Sequence, residues 1–299
     1  MRARSWKPIA LALLVAAMTP ASSFGQIAPL PPPPAPPMRS PQLQATAPSR
    51  PAAQAGPVGF GLQDIGTYER CVGHAQAAPA AAFEEAQAWR SRGGGDRARH
   101  CAALAMLHGG AAELAAEELE KLAQDMRSQA AILRAEVMAQ AARAWLIAED
   151  LPRARQAASA ALLLNPDNAE IWIDRAEMLA AAGKYWEAVD DLNRALELDP
   201  RRAEALVFRA SAYRRLDAVD LAREDIDRAL KLTPRLAEAW LERGILNRLK
   251  GDVPAARRDW LQVLVLDADG PAGEAARDNI ERLEYKLEPS TATPRTPRR

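Results

Sequence analysis

Two cysteines and three histidines are all that the 299 residues contain, and this scarcity removes most of the chemistry a chain of this size could carry. Cys71, His74, His100 and Cys101 could in principle supply four metal ligands. Neighbouring ligands on one helix diverge by about 100°, however, and the spacing fits no standard zinc pattern. A Ser-His-Asp order, a phosphate-cradling glycine loop and a Cys-x-x-Cys-His haem site are also lacking. "RSRGGGD" at 90–96 has the glycines but follows a helical stretch instead of a strand, so it reads as a turn. Carboxylates are abundant, but at the spacings of solvated helix faces. The sequence therefore points away from catalysis and calls for no cofactor or metal. Surplus charge is missing too: Lys plus Arg and Asp plus Glu each total 39, so nothing global advertises nucleic acid or another polyanion as partner. No stretch alternates with period two, which argues against a sheet.

What is present is 48% apolar and 26% charged, enough for a sizeable core. Residues 1–25 are laid out as a secretory leader. Arg2, Arg4 and Lys7 precede an apolar run from Ile9 to Met18, and small residues follow up to an expected cut before Gln26. Ten apolar residues fall short of the roughly 20 needed to span a bilayer, although an uncleaved anchor remains the alternative. If the leader is removed, stable membrane insertion is not expected, and the periplasm or the exterior of a bacterial cell is the expected location. Residues 26–61 hold a proline-rich linker, with eleven prolines between 28 and 57. Proline fixes φ and lacks a donor, so this stretch should be an extended spacer of at most about 90 Å; a ligand for a proline-reading domain is the other reading. The tail at 289–299 is weakly basic and equally unable to pack.

Between these ends, Ala, Leu, Arg and Glu recur at helical spacing, with glycine or proline every dozen or so residues. Helices are predicted at 66–77, 79–92, 96–108 and 111–126, then as regular pairs from 130 onward. "LNPDNAEIW" at 164–172 returns as "LDPRRAEAL" at 198–206 and "LTPRLAEAW" at 232–240. Residues 135–168, 169–202, 203–236 and 237–270 align without a gap. Their eighth position reads Ala142, Ala176, Ala210, Gly244; the twentieth, Ala154, Ala188, Ala222, Ala256; the twenty-seventh, Ala161, Ala195, Ala229, Val263. Small residues there let helices approach closely, while Met138, Trp172, Leu206 and Trp240 at position 4 fill the holes between them. Pro166, Pro200 and Pro234 end successive second helices.

This 34-residue unit resembles the tetratricopeptide repeat, and "AEIWIDRAEMLAAAGKYWEAVDDLNRALELDPRR" at 169–202 is close to a model copy. The resemblance implies an all-α fold: a right-handed α-solenoid of antiparallel helix pairs, four units at 135–270, degenerate repeats over 62–134 and a capping helix at 271–288 whose charged face closes the stack. It departs from the family at position 7, where Arg175, Arg209 and Arg243 stand opposite Asp191, Asp225 and Asp259 at position 23. An ion pair inside each hairpin is expected, a ligand-binding arginine row being the alternative. Cys71 and Cys101 would lie on first helices of neighbouring pairs, and a disulfide between them is expected in an exported chain.

The resemblance further implies a function: binding a protein or an extended peptide in the concave groove. Ile173, Val207 and Leu241 at position 5, with Phe208 beside them, form either an apolar ladder in that groove or part of the packing against the next helix. Asp174, Glu177 and Glu242 also fall on groove positions. Family members that grip a C-terminal carboxylate place Lys, Asn and Arg there, whereas this chain has Ala139, Arg143, Asp174, Glu204 and Phe208, which cannot form such a clamp. An envelope assembly or chaperone-like factor, or an accessory subunit of an envelope enzyme, is the alternative role.

Overall fold

The structure, a computed structural model, describes residues 62–287; the leader, the proline-rich linker and the tail lie outside the described residues. Every regular element among those residues is an α-helix. They form six hairpins and a closing helix: α1 (Leu62–Ala77) with α2 (Pro79–Ser91), α3 (Gly95–His108) with α4 (Ala112–Asp125), α5 (Ala131–Ile147) with α6 (Leu151–Leu164), α7 (Ala169–Ala181) with α8 (Tyr185–Leu198), α9 (Ala203–Arg215) with α10 (Val219–Leu232), α11 (Ala237–Leu249) with α12 (Val253–Leu266), then α13 (Pro271–Leu287).

The hairpin turns of the four 34-residue units are made the same way. The fifteenth residue of every unit sits in the left-handed region, as Glu149, Gly183, Asp217 and Gly251, with φ of 62°, 75°, 60° and 86°. The next amide then reaches back to the carbonyl five residues earlier, at 3.0 Å for Asp150 to Trp145 and 2.9 Å for Lys184 to Leu179, Ala218 to Tyr213 and Asp252 to Asn247. This satisfies carbonyls that a helix end leaves without intrahelical partners. In two hairpins the second helix starts on an aspartate cap: Asp150 accepts from the Arg153 amide at 3.0 Å and Asp252 from the Ala255 amide at 2.9 Å.

At the joints between hairpins the proline stops one helix and its carbonyl is taken by a side chain. Trp172 Nε1 donates to the Pro166 carbonyl at 2.8 Å, and Trp240 Nε1 to that of Pro234 at 2.9 Å. The Leu206 side chain has no N–H to offer at the middle joint, and there Arg228 donates to Pro200 at 2.6 Å.

The interior follows the expected columns. The alanines at positions 8, 20 and 27 and Val263 are all buried at 0% or 1% exposure. Gly244 breaks the column for a visible reason: a Cβ there would lie 2.3 Å from Nε1 of Trp260, the large residue of the same hairpin. Trp260 is itself fully buried and donates to the Leu241 carbonyl at 3.2 Å. The position-7 and position-23 pairs form as bidentate bridges: Arg175 to Asp191 at 2.7 and 2.7 Å, Arg209 to Asp225 at 2.8 and 2.6 Å, and Arg243 to Asp259 at 3.0 and 2.7 Å. Two of these arginines also reach the preceding hairpin, at Ser159 (3.2 Å) and Asn193 (2.7 Å).

The first helices of successive hairpins touch one another, whereas the second helices approach each other far less. A stack built this way curves with its first helices inside, so α5, α7, α9 and α11 line the inner face. At the N-terminal end, Cys71 on α1 and Cys101 on α3 are joined by a disulfide, both buried, with Cα atoms 6.1 Å apart. At the other end, Ala272, Ala276 and Leu283 of α13 cover the last hairpin.

Candidate functional site

Ile173, Val207 and Leu241 do not form an exposed ladder. Their exposures are 5%, 5% and 2%, and they belong to the cores that join one hairpin to the next. Position 5 looks along the stack at the neighbouring helix, because first helices on the inside of a curve crowd together. Of the expected apolar residues only Phe208 remains partly accessible, packed at its base against the same core.

Position 6 holds the inner face proper, as Gln140, Asp174, Phe208 and Glu242 on successive first helices. Both acids are neutralised by arginines of the preceding first helix. Arg143 on α5 pairs with Asp174 on α7, and Arg214 on α9 pairs with Glu242 on α11 while its other nitrogen donates to Ser211 at 3.2 Å. Arg202 and Glu170 form a further bridge at the joint. Phe208 therefore stands between two ion pairs, as a half-buried aromatic shelf in a polar setting. Three residues after Asp174 on α7, Glu177 is half-buried; burial chiefly, and the neighbouring Asp174 next, push its carboxyl up to about 7. Burial likewise raises Asp174 to about 6, against the pull of Arg143.

Toward the N-terminal end the inner face continues as a hydrogen-bonded file that sequence reasoning missed. His100 on α3 joins Tyr68 on α1 at 2.7 Å through Nδ1, and reaches Gln140 on α5 through Nε2. Burial lowers the His100 pKa, favouring the neutral ring. With Gln140 Oε1 as acceptor, Nε2 carries the proton and Nδ1 accepts from the tyrosine hydroxyl. These contacts join positions 32 and 40 residues apart in a region where the repeat phase slips, so no fixed interval announced them. The proline clasps, by contrast, had a readable signal in the proline and tryptophan six apart within the repeated phrase.

Among the described residues no helix is long and apolar enough to cross a membrane, and no group of three or more His, Cys, Asp or Glu is placed to hold a metal ion. Two family models described as tetratricopeptide repeat match the chain, at residues 140–212 and 209–274. A Protein SGT1 homolog of Oryza sativa subsp. japonica is 36% identical over 76 residues, covering 25% of this chain and 21% of that protein. The chain thus spans about a fifth of the length of that relative. Among solved structures, Pseudomonas aeruginosa pilF is similar with a TM-score of 0.56 at 15% identity, covering 72% of this chain and 97% of that one, a likeness of fold alone. YrrB, a TPR protein with an unusual peptide-binding site, is similar over 66% of this chain and 98% of its own, at 18% identity and a TM-score of 0.46. Four gapless 34-residue hairpins, with family models meeting across 140–274, identify residues 135–270 as tetratricopeptide repeats.

Proposed function

We propose that this chain is a non-catalytic scaffold that holds an extended peptide or protein segment along the inner face of α5, α7, α9 and α11, outside the cytoplasm. The fold is of the kind that suggests a protein- or peptide-binding scaffold. The observation that carries the finer reading is Phe208, half-buried between the Arg143–Asp174 and Arg214–Glu242 bridges. Because neighbouring arginines already neutralise those acids, the groove is not a trap for cations. It offers an aromatic surface to an apolar side chain, and at Glu177 a carboxyl that is partly protonated near neutrality and can donate to, or accept from, a peptide backbone. An extra-cytoplasmic site is supported by the leader-like start of the sequence and by a buried disulfide of the sort that persists in oxidising compartments.

A photo-crosslinking amino acid placed at Phe208, with Leu163 as a control on an outer helix at 87% exposure, tests the groove. Illumination in cells of the source organism should join a discrete partner segment to position 208 and nothing comparable to position 163. Equal labelling at the two positions removes the groove from the proposal.

A further inference from the structure

Three of the four regular hairpins fill the space between their helices with a guanidinium. Arg175 is held by Asp191 and Ser159 under the Trp172 ring, 4.9 Å from its centroid; Arg243 is held by Asp259, 4.2 Å from that of Trp240; Arg209 is held by Asp225 and Asn193. The fourth, α5 with α6, lacks both halves of the pair: Ala141 stands where the arginine belongs and Ala157 where the aspartate belongs. A cleft of about 260 Å³ remains between α4, α5 and α6, lined by buried Met138 and Ala157, by Glu120, and by the exposed Gln124 and Gln156.

Counted in a looser unit at 96–129, Glu120 falls at the twenty-fifth position, which Ser159 and Asn193 hold in the next two units and from which they accept from the incoming guanidinium. It already accepts from Trp145 Nε1 at 2.9 Å, which fixes its carboxylate at the cleft. Arg153 borders the cleft but does not fill it: its guanidinium lies 4.3 Å from the centroid of the Trp145 ring and reaches out to the exposed Glu117 at 3.4 Å. The lining itself holds one acid, Glu120, and one base, Arg153, and the latter is turned toward Trp145 and Glu117. The cleft and its acceptor carboxylate thus match what the other three hairpins supply for themselves.

We propose that this cleft is a guanidinium-binding site, filled by an arginine side chain of a protein partner. The site lies on the opposite side of α5 from the groove and does not depend on the groove being used. The arginine enters as a charged, planar donor, bonds to Glu120 and the two glutamine side chains, and packs its stem on Met138.

The test uses the full-length chain with ¹⁵N labelling, following the Trp145 indole N–H, with N-acetyl-arginine amide and N-acetyl-lysine amide as probes. The arginine probe should shift that resonance saturably, and the lysine probe should bind about tenfold more weakly because it lacks the forked geometry. Ala141→Arg with Ala157→Asp, which supplies the pair from within, should abolish the shift while helicity is retained. Should that variant misfold, Glu120→Gln serves in its place and should weaken binding about tenfold. Absence of a saturable shift, equal response to the two probes, or binding unchanged in whichever variant folds would overturn the proposal.

Discussion

A carboxyl that is half-buried beside a second carboxyl holds its proton more tightly than one in water, and Glu177 occupies that position next to Asp174. In the unfolded chain it titrates near 4.5, and in the folded chain near 7. The folded state therefore binds more protons between these values, and ionisation of Glu177 opposes folding. Its cost is fully present above pH 7 and is relieved as pH falls toward 4.5. Glu177→Gln, which mimics the neutral acid, is expected to raise stability at pH 8 by on the order of 1 kcal/mol, with the gain vanishing near pH 4.5. Urea denaturation at the two pH values measures this, and a gain independent of pH would contradict it. At this scale the sequence was legible wherever one residue answers another at a fixed interval. Arg175 and Asp191 are 16 apart and recur twice, and Gly244 appears in the hairpin that also carries Trp260. Glu177 was readable as a groove residue but not as a perturbed one, since its pKa depends on packing between helices that no interval reveals.

The turn at position 15 sets the geometry of each element pair. Glycine takes the left-handed conformation there at little cost in Gly183 and Gly251, but Glu149 and Asp217 must adopt it with a Cβ, at roughly 1 kcal/mol or more for an L-residue. Glu149→Gly should therefore stabilise its hairpin by up to about 1 kcal/mol, and Asp217→Gly by less, because aspartate tolerates this region better than glutamate does. Thermal melting of the two single variants beside the parent checks both the sign and the order. The helix limits were legible in the sequence because proline and the small-residue columns mark them. The left-handed turn was not, in two of four cases, because acidic residues carry no such signal. The choice between groove ladder and inter-helix packing for Ile173, Val207 and Leu241 also belongs to the element scale. Which side of a helix faces the groove depends on the curvature of the stack, and curvature emerges only when the hairpins are assembled.

The described residues form a row of hairpins in which each mainly touches its neighbours, so stability is expected to be local. The Cys71–Cys101 disulfide closes a loop with a sequence separation of 30 in the least regular part of the array. Such a closure contributes about 3–4 kcal/mol. Reduction should speed amide exchange across α1 to α4 and leave α7 to α12 unchanged by mass spectrometry; uniform acceleration would mean that the array unfolds as one unit. The pairing and the solenoid were legible because repeat stacking brings first helices together. The long-range file through His100 was not, because it bridges the stretch where the 34-residue phase is interrupted.

The three proline clasps bear on how such a molecule recognises anything. A proline carbonyl left open at each joint would have let successive hairpins swing like links of a chain. With Trp172, Arg228 and Trp240 fastening all three, the pitch of the spring is set during folding, before any visitor arrives. The visitor must then conform to the template. Selectivity accrues to sequences already able to follow that curve, and little ordering cost falls on the scaffold.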